Sequence, residues 1–335
     1  MNQMPTLDGL LALLGEAPEK PPLDVQLLSE QEREEHTFQQ IEYAITADER
    51  VQAYLLRPHT RGALVPGALA IHQDGAERPY QYGGSEPAGV AGDPELPYGL
   101  ELVRRGYAVI CPDRFPFGSR SLARSRFRET FAQFPIYARY QGEELELSDD
   151  LYRGAVANRL LFEGWTALGK ELYELQRALD VLCALPGVDG DRLGAIGHSA
   201  GGLMTALLMY VDPRVKVGCA SSGTFLIGKI YGRERLRPIN GFGSLLAVPG
   251  LKRWGDIDDV LAGLAPRPYL ETHGDFTQEM VDEKSAKARA RYQALGVEER
   301  YQSLIYDAGA HVFRADKRAM SYAWFDRWLK GPAVS

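Results

Sequence analysis

Apolar and polar positions along the chain alternate in short blocks, and the spacing within each block predicts its conformation. Residues 38–45 and 51–56 are β-rich runs joined by the polar turn Thr46-Ala47-Asp48-Glu49-Arg50, which predicts an antiparallel hairpin. Further on, residues 63–72, 107–111, 191–196, 215–220, 269–272 and 301–306 are short apolar runs of strand type. Helices are predicted between them. Residues 97–105 and 203–210 have helical patterns, and across 165–185 Leu168, Leu172, Leu175, Ala178, Leu179 and Leu182 recur every three to four positions. Residues 317–329 set Met320, Trp324, Phe325 and Trp328 on one helix face. Strands alternating with helices predict an α/β fold with a mostly parallel central sheet, helices on both faces and the hairpin at its antiparallel edge.

Two segments stand outside this alternation. Residues 1–15 contain Leu10-Leu11-Ala12-Leu13-Leu14, expected to be an amphipathic helix packed on the domain. With Pro21-Pro22 and the charged stretch 30–35, residues 1–35 read as a helical N-terminal extension. Residues 119–163 gather Arg120, Arg124, Arg126 and Arg128, then Phe131, Phe134, Tyr137 and Tyr140, then an acidic run over 143–150. A connector of that length and chemistry is expected to be an insertion, a mostly helical lid over one edge of the sheet, within a single domain over 1–335.

Composition narrows the function classes. The 335 residues are 45% hydrophobic and 25% charged, an ordinary globular balance. A net charge of −7 speaks against nucleic-acid binding, and no apolar run approaches the roughly 20 residues that cross a bilayer. Neither a basic leader nor a small-residue cleavage site marks the N-terminus, so a cytoplasmic protein is expected. Cys111, Cys183 and Cys219 each lie in apolar segments and are expected to be buried, reduced thiols. No cysteine or histidine spacing suggests a metal site.

The strongest chemical signal is Gly197-His198-Ser199-Ala200-Gly201-Gly202, a G-x-S-x-G turn between a predicted strand and a predicted helix. Such a turn strains the serine backbone and pushes its Oγ above the sheet. Side chains at Gly197 or Gly201 would collide with the neighbouring strand or helix. The helix start also aims amide N–H groups, that of Ala200 included, at a developing oxyanion.

In folds built around this turn the order is serine, acid, histidine. Six histidines are present (His36, His59, His72, His198, His273, His311), and only His273 and His311 follow Ser199. His311 lies in Asp307-Ala308-Gly309-Ala310-His311-Val312-Phe313, between the last strand and the last helix, and is the candidate general base. His273 is expected to be a packed residue at a strand end. The acid must follow strand 269–272: Asp275, directly beyond the strand, is favoured, with Glu279 as the alternative and an acid from another strand as the third choice. A second oxyanion donor is expected from the loop after strand 63–72, at the Asp74 backbone N–H; the Asp74 carboxylate should then point away, and His72 should be structural.

Together these residues resemble a family. Ile71-His72-Gln73, Glu86-Pro87-Ala88-Gly89, Gly92-Asp93-Pro94-Glu95-Leu96, Arg105-Gly106-Tyr107-Ala108-Val109 and Cys111-Pro112-Asp113 are similar to stretches of the α/β-hydrolase superfamily, in its dienelactone hydrolase-like and acetyl-xylan-esterase-like branch. So are Asp191-Arg192-Leu193-Gly194, the Ser199 turn, Ala265-Pro266-Arg267-Pro268 and Gly309-Ala310-His311-Val312-Phe313. The resemblance runs from about residue 62 to 329. It departs at the nucleophile, which is cysteine in true dienelactone hydrolases, and at Thr277, where the group usually carries its acid.

The implied function is a serine hydrolase acting on a small or medium carboxylic ester through an acyl-enzyme on Ser199. It would need no cofactor. The expected partner is a small-molecule ester, with no nucleic acid and no membrane, and a homo-oligomer is compatible with the sequence. The runner-up is a serine peptidase of prolyl-oligopeptidase type. The rival of another class is a non-catalytic binding protein on the same fold.

Overall fold

The computed structural model describes residues 5–60, 62–74, 81–122, 149–230, 241–306 and 309–331. Nine strands occur among them: β1 (Gln26–Glu32), β2 (His36–Ala44), β3 (Arg50–Pro58), β4 (Val65–Ile71), β5 (Ala108–Pro112), β6 (Val188–His198), β7 (Val215–Ser221), β8 (Tyr269–His273) and β9 (Tyr301–Ile305). They form one sheet in the order β1-β2-β3-β5-β4-β6-β7-β8-β9. The pairings from β1 through β3 to β5 are antiparallel. Those from β5 through β4 and β6 to β9 are parallel.

The main helices are α1 (Leu7–Leu14), α2 (Tyr98–Arg104), α3 (Asp149–Phe162), α4 (Ala167–Ala184), α5 (Ala200–Val211), α6 (Ile257–Gly263), α7 (Gln278–Ala294) and α8 (Ala315–Phe325). Strand side chains point alternately to the two faces. In β4, Leu69 and Ile71 join a core built with α1, α4, α5, α6 and α7. Ala68 and Ala70 join the opposite core, with Tyr98, Leu102 and Val103 of α2 and Tyr322, Trp324 and Phe325 of α8. The α/β expectation therefore holds, with a core on each face. No helix among the described residues is long and apolar enough to cross a membrane.

Two readings are corrected. Residues 1–35 are not a helical extension: among the described residues of that segment only Leu7–Leu14 is helical, and residues 26–32, which run into the charged stretch, form the edge strand β1. Every residue of β1 is exposed, so no buried alternation marked it in the sequence. Cys183 is an exposed thiol near the end of α4, whereas Cys111 and Cys219 are buried. The insertion ends in a helix, α3, whose Arg153, Gly154, Ala157 and Leu160 are buried. Residues 123–148, the centre of the expected lid, lie outside the described residues.

Candidate active site

Strand β6 delivers Ser199 to the carboxyl edge of the sheet and α5 leaves from it. Ser199 has φ 54° and ψ −124°, a backbone conformation that L-residues rarely adopt. Its amide donates to the Ser221 carbonyl at 2.8 Å, and its carbonyl accepts from Leu203 at 3.1 Å, so the turn is pinned from β7 and from within the helix. The glycines are required by close approach. A Cβ on Gly201 would lie 2.0 Å from the Ile71 carbonyl oxygen of β4, and one on Gly197 would lie 2.3 Å from the Gly201 carbonyl oxygen. Ala200 is the first residue of α5, so its N–H is one of those an α-helix leaves without an internal acceptor.

Two loops beyond β8 and β9 bring the remaining candidates together. His311 Nδ1 donates to Asp275 Oδ2 at 2.6 Å. That bond turns Nε2 into the proton acceptor of the neutral ring. Partial burial raises the cost of charge on Asp275, but the bond and charge of His311 and a hydrogen bond from the Ser222 hydroxyl outweigh it, holding the carboxyl below its usual range. Ser222, itself at φ 50°, also accepts from the Gly274 amide at 3.4 Å. The alternative acid is elsewhere: Glu279 sits in the first turn of α7, behind Thr277, which caps that helix by accepting from the Met280 amide at 3.3 Å.

Three other histidines, His198, His72 and His273, are buried with polar partners of their own. His198 is 2% exposed and contacts Ser221 Oγ through Nδ1 at 3.1 Å. Burial, reinforced by neighbouring His311, pushes its pKa down to about 3. His72 donates from Nδ1 to the Gln73 carbonyl at 2.7 Å and accepts the Arg114 amide at Nε2, 3.0 Å away. Burial and the Arg114 charge push it, too, down to about 3. His273 is fully buried, with Nε2 on Ser303 Oγ at 3.1 Å.

The loop after β4 is held by charge. Asp74 pairs with Arg153 (Nη1 to Oδ2, 2.6 Å) and with Arg114 (3.3 Å). Both arginines also reach Glu171 on α4. Sequence reading had not singled out Arg114, Arg153 or Ser222. Arg114 directly follows the noted Cys111-Pro112-Asp113, so its position was within reach; Arg153 had no local signal. Among the described residues no group of three or more His, Cys, Asp or Glu is arranged to hold a metal ion.

The family model for the prolyl oligopeptidase family matches residues 161–332, more than half of the chain, from just before α4 to the C-terminal end of the fold. The chain belongs to the prolyl oligopeptidase family. It is accordingly a hydrolase, of a family that works through serine. YtaP of Bacillus subtilis (strain 168), named as a candidate hydrolase, is 26% identical over 328 residues, covering 96% of this chain and 97% of that protein. Two solved structures share the fold. A candidate acetyl xylan esterase from Bacteroides fragilis NCTC 9343 superposes with a TM-score of 0.66 at 19% identity, over 90% of this chain and 73% of the other. A glucuronoyl esterase from Solibacter usitatus superposes with a TM-score of 0.62 at 15% identity, over 96% and 91%. The resemblance to α/β hydrolases of the esterase branch therefore holds for the fold of this hydrolase.

Proposed function

We propose that this hydrolase cleaves small or medium carboxylic esters through an acyl-enzyme on Ser199, with His311 as general base and Asp275 as its acid. The observation that carries the reading is the coincidence of a strained serine at the β6–α5 turn with a His311–Asp275 pair at 2.6 Å on loops from the same edge of the sheet. His311 Nε2 takes the Ser199 Oγ proton as Oγ bonds to the ester carbonyl carbon. The Ala200 and Asp74 amides receive the tetrahedral oxyanion. His311 then returns the proton to the leaving alkoxide, which departs as the alcohol. In the second half, water gives a proton to His311 and attacks the acyl carbon, and Ser199 leaves reprotonated. Throughout, Asp275 holds the ring orientation and balances the imidazolium charge.

A second reading, peptide-bond cleavage, is favoured by the family match over residues 161–332. Against that, the two structures above are named as esterases. A panel of p-nitrophenyl esters from acetate to decanoate, run beside a peptide amide, separates the two. Ester turnover with little on the amide is expected. Turnover of the amide and of no ester would replace the esterase reading with the peptidase one.

A further inference from the structure

A carboxylate beside an oxyanion hole is an electrostatic liability. Asp74 is the residue whose backbone N–H the proposed mechanism uses, and its own side chain carries a negative charge close to where a second negative charge would develop. Two guanidiniums from different parts of the chain meet that carboxylate. Arg114, 1% exposed, follows β5. It ties down residues 72–74 at three points: its amide on His72 Nε2 at 3.0 Å, its Nη1 on the His72 carbonyl at 2.8 Å, and its guanidinium on Asp74 at 3.3 Å. Arg153, 2% exposed, comes from α3 and takes the other Asp74 oxygen at 2.6 Å. Glu171 of α4 lies behind both, 3.0 Å from Arg153 Nη2 and 2.9 Å from Arg114 Nε. Asp74 and Glu171 thus face Arg114 and Arg153, each carboxylate touching both guanidiniums.

We infer that Arg153 is a positioning residue for the oxyanion loop: through the Asp74 carboxylate it couples helix α3 to the placement and the electrostatics of the Asp74 backbone N–H. The inference rests on the proposed function, because it concerns the oxyanion hole of that mechanism. Its chemistry is specific. Without Arg153 one positive charge is removed from beside the developing oxyanion, and one of the two Asp74 carboxylate oxygens loses this cation. The loop is then free to shift. Displacements near 1 Å in a reacting site cost on the order of 100-fold in rate. Ground-state binding of an ester involves no full oxyanion, so the loss falls on kcat.

The test is steady-state turnover of a p-nitrophenyl ester by wild type, Arg153→Met, Arg153→Lys, Asp74→Asn and Arg153→Met/Asp74→Asn, with a thermal melt of each. Arg153→Met is expected to lower kcat about 10- to 100-fold with KM within about three-fold of wild type. Arg153→Lys, which keeps the charge but replaces the planar fork with a compact ammonium on a shorter reach, should retain about a fifth of the wild-type kcat. In the double variant, removal of the stranded carboxylate should recover at least about five-fold of the kcat lost in Arg153→Met. A role limited to packing α3 would not produce that recovery. Unchanged kcat in Arg153→Met, a loss confined to KM, or a double variant no better than Arg153→Met overturns the inference. Should Arg153→Met not fold, Arg153→Lys carries the test, and wild-type kcat in a folded Arg153→Lys overturns it. A wild-type protein that turns over no ester overturns the proposed function itself, and the inference with it, whereas an active wild type matched by Arg153→Met removes the inference alone.

Discussion

The Ala310 amide donates to the Gly274 carbonyl at 3.0 Å, and the residues that follow these two, His311 and Asp275, are thereby set side by side. Gly309 donates to the same carbonyl. A Cβ on Gly274 would stand 2.0 Å from the Ala310 carbonyl oxygen, so only glycine permits the approach. The geometry of the proposed acid and base is set by backbone bonds between two loops, with the side-chain hydrogen bond added to a spacing already fixed.

Asp275→Asn is accordingly expected to lower ester kcat by roughly 10³- to 10⁴-fold, because the amide holds His311 in the wrong tautomer and cannot balance its charge. Glu279→Gln, in the first turn of α7, should change kcat only a few-fold. Steady-state kinetics of the two variants decide the matter, and the reverse order of effects would make Glu279 the acid.

The β6–α5 turn was legible because everything that makes it is local: two glycines, a strand before and a helix after, all within a few residues of Ser199. Chain order left His273 and His311, and the loop between the last strand and the last helix favoured His311. Asp275 could be ranked above Glu279 only by its nearness to a strand end, since the Gly274–Ala310 contact that sets it beside His311 joins residues far apart in sequence. Asp74 and Arg153 are 79 positions apart, and no period or spacing announces a pair of that kind. Strand β1 was missed for a different reason: with every residue exposed, it lacks the buried alternate positions from which strands are read. The Asp74 carboxylate, expected to point away from the oxyanion, is paired with two arginines that the sequence did not announce.

Gly201→Ala should destabilise the protein by roughly 3 kcal/mol or more, because the new Cβ meets two backbone oxygens, those of Ile71 and His72, that cannot swing aside. At Gly190 the nearest atom to a new Cβ is Cys183 Sγ at 3.8 Å, and Gly190→Ala should stay within about 1 kcal/mol of wild type. Urea unfolding of both variants checks the contrast; equal midpoints would mean that the elbow tolerates a side chain.

Glu86 predicts a pH effect on stability. Burial pushes its carboxyl up to about 7, against hydrogen bonds from the Asp93 amide (3.2 Å) and Gln73 Nε2 (3.3 Å) that favour the charged form. Between the ordinary glutamate value and about 7 the folded state binds more protons at this site than the unfolded state does. Its contribution therefore falls as pH rises through that window and stays low above it. Glu86→Gln, which keeps an oxygen for both donors, should be more stable than wild type by roughly 1–3 kcal/mol at pH 8 and nearly equal to it at pH 5. Urea midpoints at the two pH values give the answer, and a difference that is larger at pH 5 would refute the buried-acid account.

The most direct measurement of the central claim is labelling by a fluorophosphonate, which phosphonylates only a serine activated by its surroundings. Wild type should label at a single site, recovered by peptide mass mapping at Ser199, with parallel loss of p-nitrophenyl ester turnover. Ser199→Ala should neither label nor turn over ester, and His311→Ala should label at least about 100-fold more slowly. Wild type that stays unlabelled, or a Ser199→Ala protein that still hydrolyses ester at the wild-type rate, would contradict the account.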